Sequence, residues 1–238
     1  SEVINNLATD RGICISHILV RAKKENEVRE KLNNSIKVVS SINQIDVLPD
    51  FVMECASHEA VAEFGPYFLN QGVDFGVVST GALADSQLFE RLKNASKIGN
   101  AKLVILSGAV GGIDALSAAK VHNLEKVIYT SRKPPMSWRG SPAEENFDLS
   151  NINEMTIIFQ GSARQAARLF PKNANVAATI ALAGLGFEKT GVTLIADPAA
   201  ERNIHQVHAV GSFGHFDVEI SGNPLPSNPK SSALTAYS

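Results

Sequence analysis

VDFGVVSTGALADSQLFERLKNASKIGNAKLVILSGAVGG, residues 73–112, is the stretch on which the fold turns. It opens on a short apolar run (VDFGVVS, 73–79), passes through a helical pattern and returns to a second run (LVILS, 103–107). Such runs suit strands buried on both faces of a parallel sheet, where the in–out alternation of an exposed sheet is lost. Between them Leu88, Leu92 and Ala95 fall at helical spacing behind the cap candidates Asp85 and Ser86. The unit ends in a glycine-rich bend, GAVGG at 108–112, at the carboxyl end of its last strand. Open α/β sheets bind ligands at that edge, and small residues let the backbone approach them. A tight turn between domains would need the same glycines.

The same texture extends toward the start of the chain. ICISHILV (13–20) and VMECA (52–56) read as further buried strands, and ENEVREKLN (25–33) as a charged helix. Residues 57–70 are helical in composition after Ser57, and Pro66 is expected to kink or interrupt them. Strand–helix–strand repetition predicts a doubly wound sheet with right-handed crossovers. The opening SEVINNLATDRG reads as the remainder of a helix feeding the strand at 13–20. In a dinucleotide-binding unit, a strand and a G-x-G-x-x-G turn, on the order of 10–15 residues, would come before it. The expectation is therefore a piece of a longer chain.

After Gly112 the pattern changes. KVIYTS (126–131) is a strand candidate followed by a Pro-rich loop, RKPPMSWRGSP (132–142), and MTIIF (155–159) is another strand. Ser162 and Gln165 stand in capping-box register, so a helix is expected from 162 to Pro171. Asn173 or Asn175 opens a second helix through the Ala-rich run 176–185, closed by Gly186. GVTLIAD (191–197), IHQVHAV (204–210) and FDVEI (216–220) are strands joined by short turns. Together they predict a second, mainly antiparallel α+β domain. PLPSNPKSSALTAYS reads as a loop entering a helix.

Composition narrows the function. The 238 residues carry 22 basic and 24 acidic side chains, a formal charge of −2, so no cationic field favours nucleic acid. No apolar run approaches the roughly 18–20 residues of a membrane span, and no signal-peptide layout opens the chain. Two cysteines, Cys14 and Cys55, cannot build a disulfide framework or a zinc site. Both lie in apolar runs and are expected to be small buried hydrophobes rather than reactive thiols. A cytoplasmic setting follows.

Three histidines, His205, His208 and His215, fall close together. Strand alternation sends 205 and 208 to opposite faces, which argues against a metal cluster. An imidazole that polarises a substrate or a water is one reading, and a satisfied structural histidine is the other. Arg21 directly follows the strand at 13–20, where an arginine in a Rossmann unit accommodates a 2′-phosphate. With Lys23 and Lys24 it reads equally as a solvated basic turn. Trp138, Arg132, Lys133 and Arg139 decorate the Pro-rich loop, where they anchor it or cover a substrate.

SGAVGGIDALSAAK (107–120), GSARQAARLFPKNANVAATIALAGLG (161–186), DPAAERNIHQVHAVGSFG (197–214) and NPLPSNPKSSALTA (223–236) resemble the L-aspartate dehydrogenase family. The similarity covers nearly the whole chain, and 161–186 with the N-x-H element at 203–205 are its most specific parts. The resemblance implies an α/β fold: a Rossmann-type doubly wound parallel sheet with a second α+β catalytic domain. The expected division is a dinucleotide-binding domain at 1–113, to which 228–238 returns, and a catalytic and dimerisation domain at 114–227. The implied activity is NAD(P)-dependent oxidation of L-aspartate to iminoaspartate, which hydrolyses to oxaloacetate and ammonia or feeds NAD biosynthesis. By motif, the family's catalytic histidine falls on His205, and its coenzyme contacts fall on Ala109 and Asn175. A dicarboxylate substrate also requires cationic anchors, for which Lys230 and Arg164 are candidates. NAD or NADP is the implied cofactor, without a metal, and a homodimer the implied assembly. Rival readings are another two-domain reductase, such as one acting on a cyclic imine, and a dinucleotide sensor without turnover.

Overall fold

The computed structural model describes residues 2–7, 10, 12–32, 35–225 and 228–238. It divides into two compact units, Ser1–Val52 and Met53–Ser238.

The first unit holds α1 (Glu2–Leu7), β1 (His17–Leu19), α2 (Glu25–Arg29) and β2 (Lys37–Val39). β1 and β2 are parallel, with His17 opposite Lys37. Asp46 ties their starts together by binding His17 Nε2 at 3.1 Å and the Lys37 ammonium. The apolar run 13–20 supplies only three strand residues, because β2 offers a partner of the same length. Cys14 therefore lies outside the ladder and is exposed, against the expectation of burial.

The second unit opens at Met53, within β3 (Phe51–Glu54), and continues with α3 (His58–Asn70), β4 (Asp74–Val77), α4 (Ser86–Gly99), β5 (Leu103–Ile105) and α5 (Ile113–Ala119). The strands form one sheet in the order β3-β4-β5, with β4 parallel to β5. Val61, Leu69, Phe75, Val77 and Leu92 are fully buried between this sheet and its helices. Asp85 caps α4 by accepting from the Gln87 and Leu88 amides. α3 runs unbroken through Pro66, contrary to expectation. Proline leaves the carbonyl four residues back without its helical donor, and the Arg91 guanidinium on α4 donates to that carbonyl, Ala62 O. Glu54 is buried, accepts from Ala56 N at 2.7 Å and Ser79 N at 3.0 Å, and so ties the carboxyl ends of β3 and β4. Cys55 beside it is exposed rather than buried. Its thiol is nevertheless pushed up to about 11 by desolvation and by the Glu54 carboxylate, so it is not an activated nucleophile.

The larger sheet follows: β6 (Leu124–Lys133), α6 (Ala143–Asn146), β7 (Thr156–Ser162), α7 (Ala163–Leu169), α8 (Asn175–Ala183), α9 (Gly186–Lys189), β8 (Thr190–Ala196), β9 (Asn203–Gly211) and β10 (Gly214–Gly222). The order is β10-β9-β6-β8-β7, and only β6 and β8 run parallel. α7 starts as its sequence predicts, with Ser162 and Gln165 exchanging capping hydrogen bonds. α8 ends at Ala183, earlier than Gly186, because Gly184 already leaves helical geometry (φ −101°, ψ −122°). β11 (Pro224–Leu225), β12 (Asn228–Ser232) and α10 (Ala233–Tyr237) complete the chain. The Gly108 amide donates to the Ser238 hydroxyl at 3.1 Å, bringing the glycine bend to the last residue.

Candidate active site

One face of the five-stranded sheet carries the candidate residues. On β9 the burial alternates, with His205, Val207 and Ala209 turned inward and His208 outward. His208 pairs with Asp217 at 2.8 Å on the outer face, so the histidines separate as period-2 geometry requires. Among the described residues no group of three or more His, Cys, Asp or Glu side chains could hold a metal ion.

His205 is 4% exposed, and its Nδ1 lies 2.8 Å from the Tyr129 hydroxyl, with the two rings nearly parallel. Burial, with the Lys133 charge as the lesser cause, pushes the imidazole down to about 4. The ring is therefore neutral at physiological pH. The Tyr129 hydroxyl is buried, stays well above the usual phenol range chiefly because of that burial, and has His205 Nδ1 at 2.8 Å with the Ser131 hydroxyl also beside it. With the phenol donating to Nδ1, the ring proton sits on Nε2. Tyr129→Phe removes this control and should lower turnover about 3- to 10-fold, the equivalent of one ordinary hydrogen bond. Coenzyme affinity should stay unchanged, which a fluorescence titration checks.

The depressed imidazole also carries a stability signature. Between its ordinary value of 6.5 and about 4, the unfolded chain takes up a proton that folded His205 refuses. Stability should fall as pH drops through that window, by up to about 3 kcal/mol from this group. Urea unfolding at pH 7 and pH 4.5 measures the slope, and His205→Asn should flatten it.

Ladder register extends the site on both sides of His205. Ile220 on β10 and Ser131 on β6 lie directly opposite it, so all three side chains share the inner face. The glycine bend packs against the β10 end of this row. A Cβ at Gly111 would lie 3.3 Å from Ile220 Cδ1, and one at Gly112 would lie 2.9 Å from Val218 Cγ2. Ala109, partly exposed, is thus carried by a bend resting one strand away from His205. Gly108 takes φ +66°, and a Cβ there would meet open space.

Asn175 stands at the first residue of α8, which packs on the segment Thr80–Ala84. Its Oδ1 accepts from Gly81 N at 3.0 Å and lies 3.4 Å from His58 Nε2. The Thr80 hydroxyl donates to the Asn175 carbonyl at 2.7 Å. A Cβ on Gly81 would lie 2.8–2.9 Å from His58 Nε2 and Asn175 Oδ1, so only glycine lets these groups meet. With Oδ1 held from behind, the Asn175 amide Nδ2 makes no hydrogen bond among the described residues and is left to donate outward. A free amide donor, an open glycine bend and the small Ala109 are features a dinucleotide can use, and these residues fit such a group.

The remaining candidates are placed differently. Arg164 spends its charge on Glu188, donates to Ala84 O and stacks over the Phe187 ring at 5.2 Å. Lys230 lies on β12 rather than in a turn, and its side chain is outside the described residues. Arg21, in the first unit, is exposed at the start of a short 3-10 turn (Ala22–Lys24). Trp138 is fully buried, donates from Nε1 to Ile195 O at 3.2 Å and packs edge-on against Phe170, which anchors the Pro-rich loop.

Lys133, expected in the Pro-rich loop, ends β6 instead, and Tyr129 and Ser131 have no motif that marks them. Their signal is alternation along β6, legible only once β9 is known to be its neighbour.

Comparison with known proteins gives two family matches along the chain. Residues 114–238 match the family described as aspartate dehydrogenase, C-terminal. Residues 1–106 match the NAD-binding domain of homoserine dehydrogenase. An L-aspartate dehydrogenase from Ralstonia pickettii (strain 12J) is 48% identical over 99% of this chain and 89% of its own. One from Serratia proteamaculans (strain 568) is 47% identical over 100% of this chain and 89% of its own. The crystal structure of aspartate dehydrogenase from Thermotoga maritima superposes with a TM-score of 0.70 at 30% identity, over 87% of this chain and 89% of that one.

Proposed function

The chain belongs to the L-aspartate dehydrogenase family, and from that membership we propose that it oxidises the α-amine of L-aspartate at the inner face around His205, with NAD or NADP as coenzyme. The observation that carries the reading is the neutral, buried imidazole of His205, held by Tyr129 within one strand of the glycine bend. Ala109 and the free Asn175 amide would hold the coenzyme. When bound, the coenzyme supplies a hydride acceptor.

The protein's own groups do the rest. Substrate oxidation builds positive charge at the imine carbon, and an imidazolium beside it would oppose that charge. Burial keeps His205 neutral and removes the opposition. Nε2–H hydrogen-bonds the substrate. The same Nε2–H then orients the water that adds to the imine carbon, and the protons which that water gives up pass to the imine nitrogen, which leaves as ammonia. Hydrolysis to oxaloacetate and ammonia follows.

The wider setting belongs to the same reading. We take 1–113, joined by 228–238, as the dinucleotide-binding domain and 114–227 as the catalytic one; the family matches at 1–106 and 114–238 support the boundary near 113. The outer face of the large sheet, with Ile157 54% exposed and Ile128 partly so, suits a homodimer contact. Among the described residues no helix is long and apolar enough to cross a membrane. The free thiols Cys14 and Cys55 accord with the cytoplasm.

Mixing the protein with L-aspartate and NAD or NADP at alkaline pH, and following the absorbance of the reduced nicotinamide, tests the proposal. Growth that is strongest with aspartate among the amino acids supports it, and a flat trace with both coenzymes contradicts it.

A further inference from the structure

Lys133 is a cation without an anion. It ends the inward row of β6, two residues beyond Ser131 and therefore on the same face as Ser131 and His205. Its ammonium donates to Asn173 Oδ1 at 3.0 Å and lies 5.0 Å from the centre of the Trp138 ring. Both partners are neutral, and Lys133 makes no ion pair among the described residues. Desolvation pushes its amine down to about 8, the mark of a charge that lacks compensation. Arg132, the next residue back and on the opposite face, shows the contrast by pairing with the buried Asp197 at 2.7 Å. A second observation points the same way. The Ser131 hydroxyl, in a residue 1% exposed and opposite His205, makes no hydrogen bond of ordinary geometry and has the Tyr129 hydroxyl as its neighbour.

A folded protein rarely keeps a desolvated ammonium and an orphan hydroxyl side by side unless something completes them. A carboxylate would complete both, since it accepts from N⁺–H and O–H donors together. It would also cancel the charge that Lys133 otherwise directs at the imine carbon.

We propose that Lys133, with the Ser131 hydroxyl beside it, is the anchor for one carboxylate of a dicarboxylate substrate, fixing its α-carbon against His205. The inference deepens the aspartate reading and rests on it for the identity of the substrate. It assigns the anchoring role to a residue whose charge is uncommitted, where that of Arg164 is already neutralised.

The test uses succinate, a dicarboxylate that cannot react, titrated calorimetrically onto the full chain with NADH present. Lys133→Gln removes the charge and keeps a donor for Asn173, Lys133→Met removes both, and Lys133→Arg restores the charge. The expected result is succinate binding weakened about 30- to 1000-fold in the Gln and Met variants. Lys133→Arg should recover most of it, while NADH affinity and the thermal midpoint of the Gln variant hold. Should Met fail to fold, Gln and Arg still decide the matter. Equal succinate binding in wild type and Lys133→Gln overturns the proposal, as does a loss matched by an equal loss of NADH binding. A wild type that binds no succinate overturns it too. Aspartate turnover by the wild type is read separately. If turnover is absent while Lys133-dependent succinate binding is present, the anchor stands and the aspartate reading falls. If turnover is present with an unchanged aspartate KM in Lys133→Gln, the reverse holds.

Discussion

His205→Ala should lower aspartate turnover by about 10²–10⁴, the usual worth of a positioned acid–base group, while affinity for NADH barely moves. The separation of effects follows from where the groups stand. His205 lies on β9, flanked by Ile220 and Ser131. The residues we assign to the coenzyme lie elsewhere, Ala109 on the glycine bend and Asn175 at the start of α8. Truncating the imidazole therefore empties the substrate side of the row without touching Gly81, His58 or the Asn175 amide. The Tyr129 hydroxyl loses its acceptor in the same variant, so some loss of stability accompanies the loss of rate. Stopped-flow turnover and an NADH fluorescence titration measure the two sides independently. Near-normal turnover would remove His205 from the mechanism.

Trp138→Ala should cost about 3–5 kcal/mol of folding stability, the range for deleting a fully buried large aromatic side chain. The indole is 0% exposed, packs edge-on against Phe170 at 6.3 Å and lies under the Lys133 ammonium. Truncation leaves a cavity beside β8 and deprives Ile195 O of its donor. It also frees the Pro-rich loop from the sheet. Against a total stability of about 5–15 kcal/mol, that is a fifth of the reserve or more. Trp138→Phe keeps most of the packing and loses only the N–H donor, so about 1–2 kcal/mol is expected. Urea unfolding of the two variants separates packing from hydrogen bonding. An alanine variant as stable as the phenylalanine variant would show that the loop is not pinned by this side chain.

Local signals carried the fold well where local physics decides it. The capping box at Ser162 and Gln165, the Asp85 cap and the parallel β4–β5 pair all follow from residues within a turn or a run of one another. Expectations failed where a distant partner intervened. Pro66 does not break α3 because Arg91, on another helix, supplies the missing donor to Ala62 O. Cys14 is exposed because the length of β1 is set by β2 and not by its own apolar run. The site divides in the same manner. His205, Ala109 and Asn175 stand in motifs and were found by resemblance to a family. Tyr129 and Lys133 stand in an ordinary strand, and their meaning comes from the register of β6 against β9, which depends on residues more than seventy positions away. Arg164 illustrates the converse, since its position near a helix start suggests an anion site and only the packed structure reveals Glu188 as its partner.

The most direct test is a crystal structure of the protein with NADH and succinate bound together. The account places the nicotinamide beside Ala109 and the Asn175 amide, with succinate between that ring and His205 Nε2 and one carboxylate on Lys133. A nicotinamide or a succinate found on any other face of the subunit, away from the His205 row, would contradict it.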